Sequence, residues 1–170
     1  MIKKVMEDAI NAQVARELYS SNLYLSMAGF YHSLNLTGFA NWMRVQAQEE
    51  MAHAIKLFDY LLDRGGHAII NEIPAPPSVW DNPLAAFETA YEHEQMVTSW
   101  INNLADLAVK EGDHATHILL NWFITEQVEE EASTGEKVER IRMVEGSKAG
   151  LFMIDNELKT RIYTPPPPNK

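Results

Sequence analysis

The sequence contains no cysteine, and this absence limits what the chain can bind. Disulfide bonds, thiolate zinc sites and iron–sulfur clusters all need cysteine, so any bound metal must be held by nitrogen and oxygen ligands. The chain also lacks an apolar run as long as a membrane span, and its first residues lack the apolar core of a secretory signal. We therefore expect a cytoplasmic protein with no membrane role.

Basic residues are few relative to acidic ones. The chain has 14 Lys and Arg against 24 Asp and Glu, for a formal net charge of −10. Such a surface repels nucleic-acid phosphates and attracts cations, so nucleic-acid binding is disfavoured. With 170 residues, 46% of them hydrophobic and 22% charged, the chain is predicted to form one globular domain over residues 1–170.

No long stretch alternates with the period of a strand, whereas apolar residues recur at helical spacing through four long segments. Thr37 is a candidate N-cap for the second segment, Gly65 and Gly66 end it, and Pro83 suits the first turn of the third. The predicted helices span about residues 3–33, 37–64, 83–111 and 113–145.

The connections between these segments predict their directions. The breaks after the first and third helices are short, which makes each adjacent pair antiparallel. Residues 65–81 are rich in glycine and proline and could extend to roughly 60 Å, which exceeds the length of a helix of about 40 Å. This predicts an all-α four-helix bundle with one long crossover, in which the second and third helices are parallel.

The last 24 residues, 147–170, divide into two parts. Residues 147–160 are predicted to form a short fifth helix, whose apolar face packs against another subunit or along the outside of its own bundle. Residues 161–170 are rich in proline and are predicted to form a stiff, solvated tail.

Glu50 and His53 are the most informative pair, because residues three apart on a helix share a face and can bind one metal ion. Such a pair alone is a weak signal. The apolar stripes of the other three helices, however, also carry polar residues near their midpoints. Because a midpoint keeps its height whichever way a helix runs, these side chains are predicted to meet in one layer. They are Glu17, Glu94, and Gln127 with Glu130.

Four buried carboxylates must be neutralised, since each loses roughly several kcal/mol of hydration on burial and they repel one another. No lysine or arginine interrupts the four stripes at this level. Each acid alone is more often a solvated helix glutamate, and a lone His53 or Tyr24 is more often an ordinary core side chain. Their coincidence on four helices favours divalent metal, and oxygen ligands with one imidazole suit iron or manganese.

These residues resemble the ferritins, and within them the bacterial non-haem ferritins, over nearly the whole chain. The resemblance implies a ferroxidase that oxidises Fe(II) with O2 or H2O2 at two irons per subunit. It also implies a homo-oligomeric cage of twenty-four subunits that stores ferric oxyhydroxide mineral.

The resemblance further implies roles for individual residues. The ligands of the first iron are Glu17, Glu50 and His53, with Glu50 bridging, and those of the second are Glu94 and Glu130, with Gln127 close by. A third iron site is implied at Glu49, Glu126 and Glu129, sharing Glu130. Tyr24 resembles an electron-donating tyrosine, and Trp122 is near enough to be a redox bystander.

Two features bear on alternatives to this hypothesis. Bacterioferritins carry a second Glu-x-x-His where this chain has Gln127 to Glu130, although Met51 stands where they place a haem ligand; we expect no haem. A peroxide-scavenging di-iron protein of the rubrerythrin or mini-ferritin kind is disfavoured by the lack of Cys-x-x-Cys and by the fifth helix, respectively. A structural helical protein whose acidic layer binds no metal is the remaining alternative.

Overall fold

The fold is all-helical over residues 1–167, the part of the chain that the computed structural model describes. Its helices are α1 (Lys4–Ser33), α2 (Thr37–Asp63), α3 (Pro83–Glu111), α4 (His114–Met143) and α5 (Lys148–Leu158). Within those residues there is no strand, and no helix is both long and apolar enough to cross a membrane. The predicted bundle with a short fifth helix is confirmed.

Contacts at the helix ends fix the directions of the four long helices. Ile2 donates its backbone N–H to the carbonyl of Arg64, 3.2 Å away, so the start of α1 lies beside the end of α2. Tyr31, near the end of α1, donates to the carbonyl of Pro83 at the start of α3 (2.7 Å). Arg64 also pairs with Asp113 before α4 (3.0 Å). Therefore α1 and α4 run against α2 and α3, and α2 and α3 are parallel.

The connection between α2 and α3 runs the length of the bundle, as predicted. Asn11, near the start of α1, donates to the carbonyl of His67 (2.9 Å), and Ser26, near its end, donates to the carbonyl of Pro77 (2.6 Å). The long crossover is thus held along α1 by side-chain hydrogen bonds to its backbone.

The starts of α3, α4 and α5 follow local capping signals, whereas the N-cap residues of α1 and α2 provide no side-chain cap. Asn82 accepts a hydrogen bond from the N–H of Ala85 at the start of α3, and Asp113 and Ser147 do the same for α4 and α5. The prediction that Thr37 caps α2 is wrong, because Thr37 is the first helical residue and Leu36 before it provides no side-chain cap.

The cap of α2 comes from α5 instead. Asp155 Oδ1 accepts hydrogen bonds from the backbone N–H groups of Gly38 (2.7 Å) and Phe39 (3.2 Å). A Cβ at Gly38 would lie 1.6 Å from the carbonyl oxygen of Asp155, so only glycine allows α5 to approach this closely. Ile154 and Leu158 are buried against the same end of the bundle. Of the two predicted positions for the fifth helix, the structure shows the one along its own bundle.

The core consists of two apolar clusters, one at each end of the bundle. Phe39, Phe87 and Tyr31 pack together in the first, whereas Ile10, Leu61 and others fill the second. The buried carboxylates of the four long helices come between these clusters in sequence. The fold therefore encloses a polar layer between two apolar blocks.

The described part of the predicted solvated tail is largely exposed, since Thr164, Pro165 and Pro167 are exposed, but the C-terminal segment is also tied to α2. Arg161 contacts Trp42, Gln46 and Glu49 of α2, and the carbonyl of Pro167 accepts a hydrogen bond from Lys56 (2.8 Å). Residues 161–167 therefore lie along α2, held by ionic and polar contacts that the proline content does not reveal. The rest of the predicted tail, residues 168–170, lies outside the described residues.

Candidate metal centre

The polar layer contains every buried acid that the helical stripes predict. The residues and their exposed fractions are Glu17 (1%), Glu50 (1%), His53 (4%), Glu94 (0%), Gln127 (4%) and Glu130 (7%). They come from α1, α2, α3 and α4 and lie on the inward stripe of each helix. Their burial removes the usual explanation of a helix glutamate as a solvated surface residue.

Two overlapping groups in this layer have the spacing of metal ligands. One ligand atom each from Glu17, Glu50 and His53 lies within 4.8 Å of the others, and the same holds for His53, Glu126 and Glu130. Metal–ligand bonds of about 2.0–2.2 Å fit inside such triangles. Because His53 belongs to both groups, the two positions for a cation are adjacent.

Glutamine side chains orient the carboxylates. Gln13 donates to Glu17 Oε1 (2.7 Å), and Gln46 donates to both Glu50 Oε1 (3.0 Å) and Glu130 Oε2 (2.7 Å). Amide donors hold a carboxylate in place without cancelling its charge, which leaves that charge available to a cation.

Glu94 is held by different partners. Tyr24 donates its hydroxyl to Glu94 Oε1, and Gln127 donates its amide to Glu94 Oε2 (3.1 Å). Glu94 belongs to neither of the two ligand-spaced groups. Burial raises its pKa above the ordinary value, and the charges of Glu50 and Glu130 raise it further. The structure thus places Tyr24 and Gln127 beside the expected second iron position, and their roles there stay predictions.

Protonation shows how the layer is neutralised without metal. Burial, reinforced by the charge of Glu50, raises the pKa of Glu17 from 4.5 to about 8 and that of Glu130 to about 8. Burial lowers the pKa of His53, but the hydrogen bond to Glu50 and the charges of Glu50, Glu17 and Glu130 outweigh burial. The net result is a His53 pKa of about 10. Burial also opposes ionisation of Glu50, yet the hydrogen bond from His53 holds its pKa below the ordinary value.

At neutral pH the metal-free layer therefore contains protonated Glu17 and Glu130 beside an ion pair between His53 and Glu50, whose Nδ1 and Oε2 lie 3.5 Å apart. A divalent ion must displace these protons in order to bind, because metal ligands are the deprotonated forms.

One atom in the layer lacks a partner. Glu17 Oε2 is buried and, among the described residues, is the one such side-chain oxygen or nitrogen without a hydrogen bond. A buried carboxyl oxygen without a partner has lost its hydration and gained no hydrogen bond, and a cation at the Glu17, Glu50 and His53 group would supply the missing partner. The residues present therefore fit a bound divalent metal.

The residues predicted for a third site lie toward the solvent side of this layer. We call Glu49, Glu126 and Glu129 the outer carboxylates. They line a cavity of about 380 Å³ together with His53 and Glu130. Glu126 is half-buried and belongs to the ligand-spaced group of His53 and Glu130, whereas Glu129 is exposed. Glu49 forms an ion pair with Arg161.

Sequence reasoning missed several residues around the layer. Gln13 and Gln46 each precede an acid by four residues, and this repeated Gln-x-x-x-Glu spacing was a signal that could have identified them. His93 is also buried: its Nε2 is hydrogen-bonded to Ser20 Oγ (2.8 Å), and its ring packs edge-on against the ring of Tyr24. The expected neighbour Trp122 does contact the site, with its ring centroid 5.3 Å from that of His53.

Comparison with known proteins agrees with this geometry. The family model described as a ferritin-like domain matches residues 7–144. A bacterial non-heme ferritin from Bacteroides fragilis is 43% identical over 161 residues, covering 95% of this chain and 100% of the relative. A bacterial non-heme ferritin from Staphylococcus saprophyticus is 39% identical over 163 residues, covering 96% and 98%.

Solved structures show the same similarity. An open pore ferritin from the hyperthermophilic archaeon Archaeoglobus fulgidus superimposes with a TM-score of 0.94 at 48% sequence identity. The match covers 95% of this chain and 100% of that one.

Proposed function

Since this chain belongs to the iron-storing ferritin family, we propose that it oxidises Fe(II) at the buried layer and stores the ferric product as an oxyhydroxide mineral inside a cage. The observation that carries the proposal is the ligand-spaced group of Glu17, Glu50 and His53, which is buried at mid-bundle with an unpartnered oxygen on Glu17. Two further buried acids, Glu94 and Glu130, belong to the same layer. Residues 1–170 act as one ferritin-like domain in this proposal.

Each residue of the layer has a role in the proposal. The first Fe(II) is held by Glu17, Glu50 and His53, with Glu50 facing both positions. The second is held by Glu130 and Glu94, with Gln127 orienting Glu94. Tyr24, bonded to Glu94, is placed to supply an electron, and the outer carboxylates form a third position that shares Glu130.

The chemistry is an electron transfer from substrate to oxidant. Two Fe(II) ions lose one electron each, and one O2 with two protons becomes H2O2; when H2O2 is the oxidant, it takes two electrons and two protons and yields water. The protons held by Glu17, Glu130 and His53 are released as Fe(II) binds. The protein supplies ligand geometry, and the metal supplies the redox chemistry.

Assembly and location complete the proposal. We place the protein in the cytoplasm as a homo-oligomeric cage of twenty-four subunits. No nucleic acid, membrane or haem enters this function. A cage separates the mineral from the solvent, and the net charge of −10 favours the approach of Fe(II).

The test is aerobic addition of Fe(II) to the metal-free protein, with ferric absorbance followed by stopped flow. Wild-type protein should oxidise Fe(II) rapidly and keep the product as soluble amber mineral. Replacing His53, which belongs to both ligand groups, by alanine (H53A) should slow oxidation by at least about ten-fold.

The matched control is H114A, because His114 is exposed at the start of α4. It should oxidise Fe(II) at the wild-type rate. If wild-type protein precipitates iron as fast as buffer alone, or if H53A retains the wild-type rate while folded, the proposed centre is wrong. Native mass spectrometry tests the cage separately.

A further inference from the structure

The C-terminal segment that follows α5, residues 159–167, runs along α2 toward the opening of the metal layer. Asn41 donates its side-chain amide to the carbonyls of Leu158 (3.1 Å) and Arg161 (3.0 Å), and Lys56 donates to the carbonyl of Pro167 (2.8 Å). Asn41 and Lys56 are separated by about 22 Å of helix. We call this segment the C-terminal strap.

Arg161 is the best-fixed side chain of the strap. Its guanidinium donates to the carbonyl of Trp42 (3.2 Å) and to Gln46 Oε1 (2.8 Å), and it pairs with Glu49 Oε2. It also lies over the Trp42 indole, 4.3 Å from the ring centroid. A planar guanidinium suits such a combination of several acceptors and an aromatic face, which an ammonium group cannot match.

The strap and the outer carboxylates line one cavity. Glu49, Glu126 and Glu129 line it from α2 and α4, and Arg161 with residues 164–167 lines it from the strap. Glu49 is the outer carboxylate that Arg161 already holds, and both side chains are mostly buried, with 20% and 22% exposed. An ion entering the cavity therefore meets acids of which one is already paired with a cation.

We infer that Arg161 is an internal competitor for metal at the outer carboxylates. Its guanidinium holds Glu49 until a third metal ion takes its place, so the strap weakens metal binding at this third position. The inference rests on the proposed function for the identity of the metal. Arg161 is a positioning residue in this scheme: it contacts the ligand Glu49 directly and sets how firmly the third ion is held, and it reaches the inner positions only indirectly, through its hydrogen bond to Gln46.

The test is calorimetric titration of the metal-free protein with Fe(II) under anaerobic conditions, comparing wild type with R161Q. The wild-type protein should show two binding steps at the inner layer and a weak or undetectable third step. In R161Q the third step should tighten by about ten-fold, because Glu49 then faces the ion without a competing charge. The first two steps should change much less than the third, because Arg161 reaches the inner ligands only through Gln46.

Two further variants test whether the effect passes through Glu49. R44Q removes the same charge from an exposed position on α2 and should leave all steps at their wild-type values. E49Q should lose the third step, and adding R161Q to E49Q should not restore a tight one. Metal-loaded crystals of R161Q should show anomalous density between Glu49, Glu126 and Glu129.

The inference is overturned if R161Q behaves like R44Q, or if it tightens the third step equally with and without Glu49. Should R161Q be too unstable to titrate, R161M provides the test: it removes the charge but keeps an apolar stem to pack on Trp42, so a third step tighter than wild type supports the inference, and an unchanged step overturns it. Failure of the proposed function would appear differently, as missing inner steps in the wild-type protein itself.

Discussion

Replacing Glu17 by glutamine should stabilise the metal-free protein while destroying its first metal position. Glu17 is buried, its Oε1 accepts a hydrogen bond from Gln13 (2.7 Å), and its Oε2 has no partner. The amide of E17Q keeps an oxygen for Gln13 and supplies N–H donors toward Glu50, the neighbour whose charge helps to raise the Glu17 pKa. The variant therefore removes an ionisable group without changing the volume of the core.

The magnitude follows from the pKa of Glu17, which folding raises from 4.5 to about 8. A carboxyl whose pKa is raised stabilises least at high pH: its contribution is fully present below the unfolded value and is lost as pH rises toward the folded value. Within that window each pH unit lowers the free energy of unfolding of the wild-type protein by about 1.4 kcal/mol. At pH 7 the wild-type protein should therefore be about 3 kcal/mol less stable than E17Q, which has no ionisable group at this position. The gain should vanish below about pH 4.5 and level off above about pH 8.

The assay is thermal unfolding of both metal-free proteins from about pH 5 to about pH 8. A gain of about 3 kcal/mol corresponds to an increase in Tm of up to about 10 °C for a domain of this size. The matched control is E72Q, since Glu72 is an exposed glutamate of the long crossover. That variant should follow the wild-type curve.

The reasoning would be refuted by an E17Q protein that is no more stable than wild type at pH 7, or whose advantage does not grow with pH. Anaerobic titration supplies a second, independent check. E17Q should lose the first Fe(II) binding step, because an amide oxygen is a neutral and weaker ligand than a carboxylate.

Three further predictions concern protons and helix docking. The affinity for Fe(II) under anaerobic conditions should rise with pH between about 6 and 9, because metal displaces protons from Glu130 (pKa about 8) and His53 (pKa about 10). Titration at several pH values tests this, and an affinity that does not change with pH would contradict it. D155A should lose about 1–2 kcal/mol, because α2 loses its cap, and thermal melts in which D155A matches wild type would argue against a capping role. G38A should be destabilised further by its clash with Asp155, whereas G29A, with open space around its Cβ, should melt at or slightly above the wild-type temperature.

The long helices and the acidic layer could be predicted because both depend on local spacing. A stripe of apolar residues at helical period defines which face of a helix is buried, and an acid on that stripe is buried with it. Glu17, Glu94 and Glu130 lie on three different helices, yet the position of each along the bundle axis follows from its distance to the midpoint of its own helix. The layer could therefore be predicted without knowing which helices pack against each other.

Contacts between distant segments could not be predicted in this way. Asp155 caps Gly38 from 117 residues away, and Arg161 reaches Glu49 from 112 residues away. Neither contact leaves a periodic signal in the sequence. The cap assigned to Thr37 was wrong for the same reason: a hydroxyl at a helix start is a good local cap, but the side chain of Asp155 already satisfies the free N–H groups.

The distribution of donors around the carboxylates explains why the layer can accept metal at all. A lysine or arginine among the inner acids would neutralise them permanently, and an incoming ion would have to displace a tethered charge. The inner acids are instead held by Gln13, Gln46 and Gln127, whose amides orient oxygen atoms but leave the charge to be balanced by protons. Protons leave as metal arrives, so the inner positions are open to substrate. Arg161 differs because it is tethered and charged, and it lies at the outer edge of the layer, where it pairs with Glu49 and donates a hydrogen bond to Gln46. In the proposed function, tight inner positions and a weakened outer one would give a direction to the movement of Fe(II), from the cavity toward the buried centre.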